Sequence, residues 1–296
     1  MEDVTTHVYK SVAGLDLRAD VYRPAPSAQR PLPVVVWIHG GALVLGTRKD
    51  IFDTRRHELV QFLEQGWTVV SIEYRLAPET RVPEIWEDVR DAFAWVRRVG
   101  PAAFDADLSR IAAVGPSSGG YLSLLAGAKL SPRPTVIVSW FGYGDMTGAW
   151  YTTPDSSMRD VETESEASAW ASVGSKPVAE LPAAHNRRRF YNYARQEGLR
   201  GKLIGGDDVP PYCPAFLVTP EFPPTLLIHG DADAAVPVEQ SLQMAESLRE
   251  AGVEHETLIA PGVGHSFDRQ LTTAPAQDAI ARSMEFLGRH LARPDA

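Results

Sequence analysis

Residues 110–121 read Arg-Ile-Ala-Ala-Val-Gly-Pro-Ser-Ser-Gly-Gly-Tyr, an apolar run that breaks into Gly115-Pro116-Ser117-Ser118-Gly119 and then into a stretch able to continue as a helix. This is the sequence form of a strand–turn–helix elbow that presents a nucleophilic serine. Ser117 is the candidate. A hydroxyl exposed on a strained turn needs neighbours two places away on either side that carry no side chain, which explains Gly115 and Gly119. Alone, a G-x-S-x-G pattern arises by chance often enough to need support from its context.

Downstream residues supply that context. Acyl transfer at serine needs a base within reach of the hydroxyl, an acid that fixes the base's tautomer, and hydrogen-bond donors where the oxyanion forms. The expected chain order for such an elbow is serine, acid, histidine. Thr225-Leu226-Leu227-Ile228-His229-Gly230-Asp231-Ala232-Asp233 is a short apolar strand that ends in acids, and Thr257–Ala260 is a second strand-like run that leads into Pro261-Gly262-Val263-Gly264-His265. His265 is therefore the expected base. Asp233 is the expected acid, whereas Asp231 follows the strand directly and is expected only to shape the turn.

Composition sets the outer limits. The chain has 296 residues, a net charge of -9, 44% hydrophobic and 23% charged residues, and one cysteine, Cys213. A large globular core is affordable at that length, and no stretch approaches the roughly 20 apolar residues of a membrane span. A negative chain whose one basic cluster is Arg187-Arg188-Arg189 is not expected to bind nucleic acid. Met1-Glu2-Asp3-Val4 lacks the layout of a signal peptide and a lone cysteine forms no internal disulfide, so a cytoplasmic location is expected. A homodimer is compatible with the sequence but not required by it.

Apolar runs alternate with helical periodicity through most of the chain, which predicts an α/β fold with a mostly parallel central sheet and helices on both faces. The runs are Val34–Ile38, Thr68–Ile72, Ile111–Val114, Thr135–Ser139, Thr225–Ile228 and Thr257–Ala260, preceded by an edge hairpin over His7–Tyr22 around Gly14. Helices are predicted over Glu84–Arg98, from Val238 to Gly252, and over Ile280–Leu291. The rhythm fails over 142–222, which is too long for a loop. We read 1–141 and 223–296 as one core and 142–222 as an insertion. Its aromatics, among them Trp150, Tyr151, Trp170, Phe190, Tyr191 and Tyr193, are candidates for pocket lining or for the insertion's own core.

Oxyanion donors are expected from His39-Gly40-Gly41-Ala42, where glycines let bare N–H groups of Gly41 and Ala42 face a cavity, and from the N–H of Ser118. His39 is expected to orient that loop. No histidines stand at a metal-ligand spacing, so no metal is expected.

His39-Gly40-Gly41, Tyr74-Arg75-Leu76-Ala77-Pro78-Glu79, Gly115-x-Ser117-x-Gly119-Gly120, His229-Gly230-x-x-Asp233-x-x-Val236-Pro237 and Gly264-His265 together resemble the hormone-sensitive-lipase-like branch of the α/β-hydrolase superfamily. The resemblance runs from about Val34 to the C-terminus, outside the insertion. It implies an α/β-hydrolase fold of eight strands, a cap over the serine, and cofactor-free hydrolysis of a carboxylic ester of a small, largely apolar substrate. A lactonase, thioesterase, amidase or peptidase with the same triad stays open, as does a non-catalytic ligand-binding member. Three departures stand out. Ala42 replaces a third glycine and is tolerated only if its φ stays negative; Pro116 and Ser118 flank the serine, with Ser118 expected to bring a second hydroxyl near the oxyanion site; Tyr121 stands where asparagine is frequent. Arg75 and Glu79 are expected to brace their loop as an ion pair. Arg187–Arg189 could contact an acidic substrate or partner, but a solvated face is the expectation preferred, leaving shape to outweigh charge in substrate choice.

Overall fold

The computed structural model describes residues 3–26, 30–182 and 184–292. Its centre is set by the strand β3 (Leu32–Ile38), every residue of which is buried. Successive side chains of a strand point to opposite faces. Val34, Val36 and Ile38 accordingly join one core cluster, while Val35 and Trp37 join another on the far side of the sheet. A strand apolar on both faces needs helices on both faces, and these are present.

The eight-stranded sheet also contains β1 (Asp3–Val12), β2 (Leu15–Arg23), β4 (Thr68–Ile72), β5 (Ala106–Pro116), β6 (Val136–Trp140), β7 (Thr225–Gly230) and β8 (His255–Ala260). Its order is β1-β2-β4-β3-β5-β6-β7-β8. The β1–β2 hairpin is antiparallel and β2 runs antiparallel to β4, after which every pairing is parallel. This is the α/β-hydrolase fold.

Helices α1 (Asp50–Asp53), α2 (Arg56–Glu64) and α9 (Ala274–Leu291) pack on the face that holds Val35 and Trp37. The opposite face is covered by α3 (Val82–Phe104), α4 (Ser118–Lys129) and α8 (Glu239–Glu250). On α3, Ile85, Val89, Ala92, Phe93 and Val96 recur at helical spacing and are buried. The helix runs six residues past the predicted end at Arg98, through Pro101, because Phe104 anchors the last turn in the core; Asp105 then stops it in a left-handed conformation at φ 55°.

Strands β6 and β7 pair directly, although residues 141–224 separate them. Among the described residues that connection adds no strand to the sheet. It holds α5 (Ala149–Thr152), α6 (Glu166–Trp170) and α7 (Arg187–Gln196) with short turns, and it touches the β3 loop through an isolated bridge between Gly46 and Leu181. One of its ties is a buried ion pair. Arg187, 2% exposed, donates to both oxygens of Glu79 at 2.6 and 2.7 Å and to the carbonyl of Ala77 at 2.8 Å. Arg75 meanwhile grips both oxygens of Asp88 at 2.7 and 2.9 Å. The expected Arg75–Glu79 pair is therefore corrected: each has a better partner from another helix.

Removing one member of a buried pair leaves the other charge unpaired. We expect Arg187→Ala to destabilise the protein by about 3–5 kcal/mol in urea unfolding, and Arg187→Met/Glu79→Leu together to recover most of that loss.

Candidate active site

The residues singled out by the sequence converge at the carboxyl ends of the parallel strands, where open α/β sheets place their ligand crevices. Ser117 follows β5, Asp233 follows β7, His265 follows β8, and Gly40-Gly41-Ala42 follows β3. Ser117 has φ 57° and ψ −122°, a strained conformation held by a bond from its N–H to the carbonyl of Trp140 at 2.7 Å.

Hydrogen-bond chemistry fixes the protons. His265 Nδ1 lies 2.7 Å from Asp233 Oδ2. A carboxylate only accepts, so Nδ1 carries the hydrogen, and the bare Nε2 accepts from the Ser117 hydroxyl at 3.0 Å. The other oxygen of Asp233 accepts the N–H groups of Ala235 and Val236 at 2.8 and 3.0 Å. Asp231 takes a different part, accepting the N–H of Gly262 at 2.6 Å and shaping the turn.

Sequence reasoning missed one contributor. His229 is fully buried and its Nε2 lies 2.9 Å from the carbonyl of Val236 and 3.3 Å from Asp233 Oδ2. Both neighbours accept, so Nε2 is the donor, and Nδ1 accepts from the Ser241 hydroxyl at 2.7 Å. Burial raises the Asp233 carboxyl, but hydrogen bonds from His229 and His265 outweigh it and hold the group well below the usual carboxylate range. The signal available was a histidine four residues before the acid on a buried strand, readable only once the acid is chosen.

The β3 loop approaches the serine closely. A Cβ added to Gly40 would stand 2.9 Å from the carbonyl oxygen of Pro116 and 3.4 Å from Ser117 Cβ. Gly41 and Ala42 donate their N–H groups to no acceptor among the described residues, and Ser118, as the first residue of α4, has an N–H without an intrahelical partner. Ala42 has φ 58°, so the expectation of a negative φ is corrected: alanine here accepts the left-handed conformation, at a cost of about 1 kcal/mol. Ser118 is fully buried and does not line the cavity, which corrects the expected second hydroxyl. His39 does orient its loop, through Nδ1 to the carbonyl of Gly40 at 2.8 Å and by stacking on Tyr74 at 4.2 Å.

A cavity of about 270 Å³ opens over Ser117 and His265, with Leu45, Tyr143, Trp150, Tyr151, Tyr191 and Val236 among its walls. Tyr193, half-buried, lies outside it, and Trp170 packs edge-on against the buried Phe190 instead. Of the three arginines expected to face solvent, Arg187 is buried, whereas Arg188 and Arg189 are exposed as expected, Arg188 at the cavity and Arg189 beside Ser168. Beneath the site, Arg55 Nε bonds Asp268 Oδ2 at 2.7 Å, next to the buried Glu58 on α2. Among the described residues no group of histidine, cysteine and acidic side chains could hold a metal ion, and no helix is long and apolar enough to cross a membrane.

Fold and constellation together define a protein of the α/β-hydrolase superfamily. A family model described as BD-FAE matches residues 19–248, and the chain belongs to that family. The model of the dienelactone hydrolase family matches residues 219–291. Esterase LipC of Mycobacterium tuberculosis is 31% identical over 269 residues, 88% of this chain and 60% of that protein. A non-reducing polyketide synthase, mapC' of Penicillium brevicompactum, is 27% identical over 97% of this chain, which spans 15% of the synthase's length. The crystal structure of an α/β-hydrolase superfamily protein from Enterococcus faecalis superposes with a TM-score of 0.75 at 21% identity, covering 98% of this chain and 99% of that one.

Burial, then the neighbouring Asp268, push the Glu58 carboxyl from 4.5 up to about 7. A raised acid binds its proton more tightly in the folded state, so stability is lost as pH rises from about 4.5 and the loss is complete above about 7. Glu58→Gln should therefore raise stability at pH 8, by on the order of 3 kcal/mol, and give no gain at pH 4. Thermal unfolding at the two pH values checks this; an equal change at both would contradict it.

Proposed function

We propose that the protein is a serine hydrolase that cleaves a carboxylic ester of a small, largely apolar substrate through an acyl-enzyme. The observation that carries this reading is the unbroken line Ser117 Oγ–His265 Nε2–His265 Nδ1–Asp233 Oδ2, with steps of 3.0 and 2.7 Å across the hydrogen bonds, opening into an aromatic-walled cavity. In this scheme His265 Nε2 takes the Ser117 proton as Oγ attacks the ester carbonyl carbon. The oxyanion is received by the N–H groups of Gly41, Ala42 and Ser118. As the tetrahedral intermediate collapses, the same proton passes from Nε2 to the leaving alkoxide and releases the alcohol. Water then repeats the sequence and frees the acid and Ser117. Asp233 keeps its charge throughout and stabilises the imidazolium. Residues 142–222 form the cap in this proposal, supplying Tyr143, Trp150, Tyr151 and Tyr191 to the acyl or alcohol pocket. Similarity to an esterase supports the ester over other acyl compounds.

With p-nitrophenyl butyrate, Ser117→Ala should lower kcat on the order of 10⁴-fold or more. Asp233→Asn should cost nearly as much, by favouring the wrong tautomer of His265, while Asp231→Asn should cost far less. Retention of activity in Ser117→Ala would overturn the reading, and equal losses at the two aspartates would overturn the choice of acid.

A cap that sets the pocket should also respond to its aromatics. Truncating Tyr191 to Ala should flatten the dependence of kcat/KM on acyl length from acetyl to octanoyl, since each methylene in an apolar pocket is worth about 1–3 kcal/mol. Tyr193→Ala, outside the cavity, should leave the profile in place.

A further inference from the structure

Four arginines line the cavity in front of Ser117: Arg55, Arg188, Arg195 and Arg269. In a chain of net charge -9 that concentration is against the overall trend. Two of them are already engaged. Arg55 is bound to Asp268 at 2.7 Å, and Arg195 to Asp155 at 2.8 Å. The other two differ. Among the described residues, neither Arg188 nor Arg269 forms an ion pair, and neither guanidinium donates a hydrogen bond.

Both line the same cavity as Ser117 and His265 but come from different segments. Arg188 comes from α7 in the connection between β6 and β7, and Arg269 stands four residues beyond His265 on the loop after β8. Both side chains are exposed to solvent at the cavity, and Arg55 and Arg269 lie close enough to repel each other. The acids within electrostatic reach of Arg269 are Asp268, Asp50 and Glu58. Only one carboxylate, Asp50, lines the cavity itself among the described residues. Two guanidiniums without an ion-pair partner against one lining carboxylate leave the cavity wall with an excess of positive charge, which suits an anion. An arginine fork matches a carboxylate in shape as well as charge.

We propose that the natural substrate carries a carboxylate in addition to its ester, and that Arg188 and Arg269 hold it. This rests on the reading of Ser117 as the nucleophile and adds the substrate class. It reverses the expectation that charge would matter less than shape.

Matched pairs of esters test it. One pair places the charge on the acyl side, the p-nitrophenyl monoester of glutarate against p-nitrophenyl valerate; the other places it on the alcohol side, para-acetoxybenzoate against para-acetoxybenzamide. The anionic member of at least one pair should show a kcat/KM about tenfold higher or more. Arg188→Gln and Arg269→Gln should each reduce that ratio about tenfold, and added sodium chloride should narrow it, because both side chains are partly in solvent. A ratio at or below one in both pairs, or one unmoved by both substitutions, would overturn the proposal. Binding separates it from the reading beneath it. In Ser117→Ala, titration calorimetry should show monomethyl glutarate binding more tightly than methyl valerate, with the difference lost in Ser117→Ala/Arg188→Gln. Cleavage of neither ester would sink the hydrolase reading, while this binding difference, present or absent, still decides the carboxylate site.

Discussion

The site depends on one close approach of backbone to backbone. A Cβ on Gly119 would stand 1.9 Å from the carbonyl oxygen of Ile38, and one on Gly115 would stand 2.4 Å from the same atom. No side chain fits there, and no rotamer change can relieve a clash with a carbonyl on a central strand. The contact presses the turn around Ser117 against the end of β3, so the Gly40–Ala42 loop that leaves β3 necessarily passes beside the serine. Nucleophile and candidate oxyanion donors are thus brought together by the packing of α4 onto the sheet. The strain at Ser117 and Ala42 is the cost of that arrangement, offset by a core that is buried on both faces of β3 and β5.

A second fixed point is Asp233. Its carboxylate is surrounded by donors: two backbone N–H groups, His229 and His265. Three of these belong to β7 or the loop that follows it, so the acid is held by its own neighbourhood before His265 arrives. The loop after β8 is then positioned from two sides. His265 bonds Asp233 and meets the edge of Phe141 at 4.8 Å, while Asp268 three residues on is tied to Arg55. Locking the imidazole at both ends of its short loop is what aims Nε2 at Ser117 instead of at solvent.

What the sequence made legible was local. Strand positions followed from apolar runs, and Ser117, Asp233 and His265 from their order at strand ends; the predicted strand limits at Thr68–Ile72 match the observed ones. Long-range pairing was not legible. Arg75 and Glu79 are neighbours in the chain, yet their partners are Asp88 and Arg187, because burial selects whichever charge reaches a side chain through the fold. Nothing local distinguishes Arg187, Arg188 and Arg189, although the first is buried and the other two are exposed, the second beside the cavity. The left-handed backbone at Ala42 was likewise set from outside, by the loop that must turn beside the elbow.

Those three arginines show how anchoring and cavity lining are coupled on one helix. On α7, Arg187, Phe190 and Ala194 are buried, whereas Arg188, Tyr191 and Arg195 line the cavity. Both sets follow the three- and four-residue spacing of a helical stripe, displaced from each other by one residue, or about 100° of rotation. The rotation of α7 about its axis therefore decides which residues line the cavity, and the helix's own hydrogen bonds, being internal, do not fix that rotation against the core. The bidentate Arg187–Glu79 pair does so, since its fork accepts only one orientation. Glu79 in turn belongs to the loop that follows β4, whose Ala77 N–H bonds Leu43 in the β3 loop at 2.7 Å. The loop that carries Gly40, Gly41 and Ala42 is thus connected, through Ala77 and Glu79, to the helix that lines the cavity, so Ser117 and that cavity wall share one frame.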